Sequence, residues 1–212
     1  MLKLMLILAL LFASTFLVLN KTGVISIERI QYWLNLADVI SPLIIGSFVI
    51  VLLFADLFVA MPTLTIMLLS GFFLGPVAGA GFSITGLLLA GFTGYGLSHR
   101  YGDRVIKYVV KDEADRNDAA QAFKRHGVTT ILLSRAVPIL PEVSACMAGL
   151  TRMPLRKFIP TWTISTVPYA IIASYAGSIS SASAPQPAIY TAIGLTSFFW
   201  IVWFITKKFF RS

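Results

Sequence analysis

Three charged side chains stand where the surrounding residues offer them nothing polar. Residues 134–150 read SRAVPILPEVSACMAGL, which puts Arg135 and Glu142 among small and apolar neighbours, with Pro138 and Pro141 between them. Asp56 is the sole formal charge in the tract 39–98. In a bilayer each such charge costs at least about 2.5–3.5 kcal/mol, so each needs a partner or a task. Arginine suits an anionic headgroup, because its planar fork binds phosphate bidentately and stays charged. A carboxyl group in a low-dielectric site can exchange a proton near neutral pH. Arg135, Asp56 and Glu142 are therefore the candidates for binding and transport. The plainer alternative is that Arg135 pairs with Glu142 or Asp56 only to hold two segments together.

Pro138, Pro141 and Pro62 punctuate the same regions. Broken helices are tolerated at membrane depth only where protein or a water-filled cavity satisfies the freed backbone groups. Such breaks put helix ends beside the charges, and a helix N-terminus is itself an anion site. Trp162 and Tyr169 read as packing or interfacial residues.

The elements that must hold these residues are apolar. Of 212 residues 57% are hydrophobic and 12% charged, and the mean hydropathy is +0.84. A soluble domain is about 45–50% apolar and about 25% charged. The chain reads as an all-α polytopic membrane protein. A single cysteine, Cys146, excludes an intrachain disulfide framework and a cysteine-based metal cluster. Two histidines, His99 and His126, do not make a metal site, and no cofactor is expected. The net charge of +8 would raise nucleic acid as a partner in a soluble protein. Here the basic residues flank apolar runs instead, and membrane lipids are the expected partner, with a homo-oligomer compatible.

Residues 4–19 form a shortish apolar run, expected to be a retained transmembrane helix, with a cleaved signal peptide as the alternative. Tyr32 and Trp33 suit an interface. Further spans are expected near 77–98, 158–177 and 188–206, with a solvated or surface-lying helix in the charged segment 99–127. Arginine and lysine favour the cytoplasmic side. They cluster at 100–125, at Arg152, Arg156 and Lys157, and at Lys207, Lys208 and Arg211. If all three clusters face the cytoplasm, as do both termini, residues 128–150 start and end on one side and must form a re-entrant hairpin. The tract 39–98 must cross an odd number of times. Either it makes three tight passes with Asp56 at the inner turn, or a hairpin near 56–75 dips in before 77–98 crosses. The second makes the halves mirror one another, as in inverted-repeat transporters.

The stretch SRAVPILPEVSACMAGLTRMPLRKF resembles the second hallmark of the DedA/VTT-domain superfamily (SNARE-associated Golgi protein family). Its pattern is an arginine, a proline, small residues to Ala-Gly, then a basic-aromatic exit. ADLFVAMPTLTIMLLSGFFLGPVAGAGF matches the first hallmark, an acid and a proline before apolar and glycine residues. The resemblance covers about residues 40–178. It implies two opposed re-entrant hairpins and lipid translocation: phospholipid scrambling in eukaryotic members, and recycling of undecaprenyl phosphate in several bacterial ones, coupled to protons. Asp56 takes the place of the family's first acid and Arg135 that of its first arginine. Two departures matter. Thr63 and Thr65 stand near the place of a further acid, and Leu140-Pro141-Glu142 stands where a second arginine follows Pro-Gly. The pattern is closer to the VTT branch, and Glu142 favours a proton- or cation-dependent step or a zwitterionic lipid.

The expected architecture is thus about four transmembrane helices plus two opposed hairpins. Residues 1–38 form an N-terminal helix and interfacial segment, 39–178 the core with hairpins near 56–75 and 128–150, and 179–212 a last helix and basic tail. The expected function is movement of a phosphate-containing lipid across a bacterial inner membrane by a protein that is not an enzyme. The alternatives are ion or small-solute transport through the same cavity, a non-catalytic membrane-assembly role, and an intramembrane carboxylate dyad of Asp56 and Glu142.

Overall fold

The computed structural model describes residues 41–59, 61–109, 113–136 and 140–180, with scattered helical positions from 186 to 201. The expectations for 1–38 and for Pro138 lie outside the described residues, as does most of the basic tail. Every regular element described is helical. Helix α1 is Pro42–Ala55, α2 is Thr63–Val109, α3 is Glu113–Leu133, α4 is Leu140–Leu150 and α5 is Leu155–Ser178; a 3-10 turn, Ser134–Ala136, follows α3.

Helix α2 is two limbs, 63–74 and 76–109, joined at Gly75 (φ 78°, ψ 175°). That backbone region is essentially restricted to glycine. Pro76 then starts the second limb, where its missing N–H breaks no helical bond. The limbs fold back on one another: the Ser70 hydroxyl donates to the Gly79 carbonyl at 3.0 Å. In a continuous helix those residues would lie about 13 Å apart.

Two hairpins approach the second limb of α2 from opposite ends. In the first, α1 runs alongside it, with Gly46 against Phe82, Gly86 against Leu53, and Leu57 against Gly94. The chain reverses over 56–62 and returns as the first limb of α2. In the second, α3 runs beside α5, bringing 123–129 near 151–157 and Ile131 near Ser165. The chain reverses over 134–140 and returns as α4, whose Gly149 rests on the backbone of Tyr95 and His99. The charged segment 99–127 is not a separate surface helix among the described residues. Its start continues α2 to Val109 and its end is the first half of α3, because no proline or glycine pair stops α2 at residue 99.

Beside an apolar core that includes Leu53, Met67, Leu87, Ile131 and Phe158, small polar residues are buried and large apolar ones face outward. Ser70, Ser83, Ser134, Ser144, Ser165, Thr166 and Ser174 are buried, while Leu43, Ile44, Phe48, Val51, Ile164, Ile171 and Ile172 are exposed. Small residues inside let backbones touch, as lipid-embedded helices require. A Cβ on Gly71 would strike the Ser174 backbone, and one on Gly177 that of Leu68. Among the described residues one helix, Thr63–Gly102, is long and apolar enough to cross a membrane. Helix α5 spans about 36 Å at 1.5 Å per residue, but its serines, threonines and prolines make it less apolar.

Gly75→Ala adds a Cβ to open space, so its whole effect is backbone strain. It should lower stability by about 1–3 kcal/mol in unfolding of the detergent-solubilised protein. Gly81→Ala, also in open space but within a helix, should be neutral or stabilising by up to about 1 kcal/mol.

Candidate functional site

The two hairpin reversals meet. Asp56, Leu57, Leu87, Ala90, Gly91, Arg135, Glu142, Ala145 and Trp162 line one cavity. Asp56 comes from the first reversal, Arg135 and Glu142 from the second, and Leu87 to Gly91 from the long limb of α2. The three charges singled out in the sequence, 79 residues apart at their first pair, are neighbours in space.

Each is held by local geometry. Asp56 is buried and its Oδ1 accepts the Met61 N–H at 2.7 Å, which closes the 56–61 turn. Pro62 follows at the head of α2, where its carbonyl accepts the Ile66 N–H at 3.1 Å. Pro62 shapes the turn and does not line the cavity. Pro141 is buried in the first turn of α4, where the absent N–H breaks no intrahelical bond, and its carbonyl accepts the Ser144 hydroxyl at 2.8 Å. Glu142, next along, lies within hydrogen-bonding reach of Asp56. A hydrogen bond between two carboxyls requires a proton on one of them, since an ionised carboxylate only accepts.

Arg135 leaves α3 on the 3-10 turn. Its Nη2 donates to Thr166 Oγ1 at 3.0 Å, and its Cζ sits 5.4 Å from the Trp162 ring centre and 5.5 Å from that of Tyr169. Its Nε is buried without an acceptor among the described residues. The guanidinium is thus held by a hydroxyl and two aromatic faces rather than by an ion pair, while both carboxyls act on it at longer range. Desolvated cation–π contacts of this kind contribute up to about 2 kcal/mol.

Trp162 and Tyr169 do more than pack. With Thr166 they stand at i, i+4 and i+7 on one stripe of α5, and that stripe is what receives the arginine. The spacing is visible in WTISTVPY, but nothing in the sequence says which cation it faces. Trp162 is itself fixed by its indole N–H, which donates to the Leu87 carbonyl at 3.3 Å, and by the absence of a side chain at Gly91.

The cavity volume is about 10 Å³, room for roughly one water. Asp56 is buried, while Arg135 and Glu142 keep partial exposure. No group of three or more metal-binding side chains occurs among the described residues.

An α-helical membrane protein with two opposed hairpins meeting at buried charges is the class these features define. A family model described as the VTT domain matches residues 61–179, more than half of the chain, and the chain belongs to that family. The match takes in Arg135 and Glu142 and begins five residues after Asp56. Undecaprenyl phosphate transporter A of Bacillus subtilis (strain 168) is 25% identical over 83 residues, 37% of this chain and 42% of that protein. The chain therefore aligns with less than half of that relative. No solved structure matches.

Thr166→Val keeps the shape of the side chain and removes the acceptor for Arg135. It should destabilise the solubilised protein by about 1.5–3 kcal/mol, the range for a hydrogen bond to a charged group. Thr163→Val, on another face of α5, should change the same unfolding midpoint little.

Proposed function

We propose that the protein moves a phosphate-bearing lipid across a bacterial cytoplasmic membrane, with Arg135 receiving the headgroup and the Asp56–Glu142 pair exchanging a proton. The observation that carries this reading is the meeting of both hairpin reversals around one cavity that holds an arginine and two carboxyls. Membership of the VTT-domain family supports a membrane role, and the name of the Bacillus subtilis relative supports a polyprenyl or other lipid phosphate as cargo.

Both hairpins are read as re-entrant. The basic residues Arg152, Arg156 and Lys157 mark the base of the second, and by the positive-inside rule that base is cytoplasmic. The first then enters from the opposite face. In the closed state the Asp56–Glu142 contact bridges the two tips. Deprotonating the shared site sets two carboxylates against each other and favours parting of the tips. Arg135, already stripped of water and oriented on Trp162 and Tyr169, is then offered to an anion. Its open Nε and remaining Nη donors match two phosphate oxygens.

Reconstitution in liposomes with a fluorescent lipid phosphate tests this. Arg135→Ala should lose at least about 10-fold in lipid movement, the effect of removing one desolvated charge–phosphate interaction worth at least about 1.4 kcal/mol. Asp56→Asn should also slow movement, because it removes one half of the proton-exchanging pair. Rates equal to wild type in both would remove the proposal. An imposed pH gradient should change the wild-type rate, and Glu142→Gln should abolish that response. The closeness of Asp56 and Glu142 also meets the geometric condition for a hydrolytic carboxylate dyad. Cleavage of a membrane-embedded peptide by wild type but not Asp56→Asn, without lipid movement, would put that reading in place of transport.

A further inference from the structure

At the base of the second hairpin lies a larger and quite different cavity, of about 350 Å³. That is within the range of small-ligand sites. Helix α3 contributes Lys124, Arg125 and His126 to its wall, and the α4–α5 connection and the start of α5 contribute Arg152 and Lys157. Among the described residues no acidic side chain lines it. Phe123, Val128, Met153 and Pro154 give it apolar surface, and Thr129 and Thr151 add hydroxyl-bearing side chains. Four basic side chains around an apolar floor is a chemical match for the headgroup of an anionic amphiphile, with the phosphate on the bases and the first carbons of the chain on the floor.

The backbone adds an independent observation. After α4 the Met153 N–H donates to the Ala148 carbonyl at 2.9 Å and the Arg152 N–H to the Gly149 carbonyl at 3.0 Å. This is the Schellman pattern, whose penultimate position is left-handed and usually glycine. Here that position is Arg152, with φ 55°. A side chain there costs about 1 kcal/mol or more relative to glycine. The strain is tolerated at the residue that supplies one of the cavity's charges. Pro154 then precedes α5 without any side-chain cap, so the first N–H groups of α5 open beside Lys157 and reinforce the positive end.

We infer that this basic cavity is a second, peripheral site that binds a phosphate monoester or diester headgroup, separate from the Arg135 cavity. Helix α4 connects the two: Glu142 to Arg152 is ten residues, about 15 Å along the axis. The peripheral site therefore sits at the membrane surface, at the base of the hairpin whose tip carries Arg135, where a headgroup is held before it reaches the tip or after it leaves. This placement rests on the transport reading; the binding itself does not.

Arg152→Gly removes a charge and the left-handed strain but also the side chain's other contacts, so Lys124→Gln/Lys157→Gln, at helical positions without that strain, serves as the independent variant. Full-length protein is placed in nanodiscs of phosphatidylcholine with or without phosphatidic acid, and retained lipid is counted by native mass spectrometry. Lys124→Gln/Lys157→Gln should retain phosphatidic acid about 30-fold less well, as expected for two basic groups near an anionic surface. Arg152→Gly should weaken retention about 5-fold. Phosphatidylcholine retention should not change in either. Lipid movement in Arg135→Ala liposomes and phosphatidic acid retention in the basic-site variants are separate readouts, so failure of the transport reading and failure of this site are distinct results. Inorganic phosphate followed by ³¹P line broadening identifies the source: broadening lost in the same variants, with no lipid retained, assigns the site to free phosphate rather than a headgroup. Unchanged retention of phosphatidic acid and unchanged phosphate broadening in both basic-site variants would overturn the inference.

Discussion

The cost of holding charge inside an apolar slab governs this structure. One guanidinium and two carboxyls are each unfavourable among lipid chains, and the fold spends two chain reversals to bring them together. Nothing about the helices alone demands those reversals: α1 and the first limb of α2 are apolar enough to sit anywhere in a bilayer. The charges at the reversal points give the hairpins a common destination, because each tip satisfies a need of the other. Asp56 closes its own turn through Met61 and still presents a carboxyl to Glu142.

Close backbone contact makes that meeting possible. The hairpins press against the long limb of α2 and against α5 through glycine and serine contacts as well as through an apolar cluster of Val49, Leu53, Ile66, Met67 and Leu87. Gly46, Gly86 and Gly94 seat α1 and the turn that follows it, Gly149 seats α4, and Gly71 and Gly177 seat the first limb of α2 on α5. Around the charges the interface becomes aromatic. Phe158 stacks on Tyr95 at 4.6 Å and on Trp162 at 5.7 Å, so a rigid column runs up α5 to the ring that carries Arg135. The arginine is thereby positioned by rings that cannot compete with a phosphate for its hydrogen bonds, as a carboxylate would.

The nearness of the three charges was legible in the chain. Charge placement led to the expectation that 128–150 leaves and returns on one side, and the isolation of Asp56, Arg135 and Glu142 set them apart as a group. The structure brings those three side chains to one cavity. The first half was harder. Pro62 and Gly75-Pro76 are both breaks, and sequence spacing does not say which is a hairpin tip and which a return to the long helix. The structure uses both: 56–62 is the tip and Gly75 the return. The role of α5 was hidden for a different reason. Tryptophan, threonine and tyrosine at helical spacing describe a packing stripe equally well, and only the third dimension sets them opposite Arg135. The continuation of α2 to Val109 was missed because a change from apolar to charged composition marks the membrane edge, not a helix end.

A cavity that holds roughly one water has an electrical consequence. Where two helical hairpins meet at charged tips, a file of waters between them would offer ions a path. The space lined by Asp56, Arg135 and Glu142 has room for about one water, so this conformation holds no such file at that point.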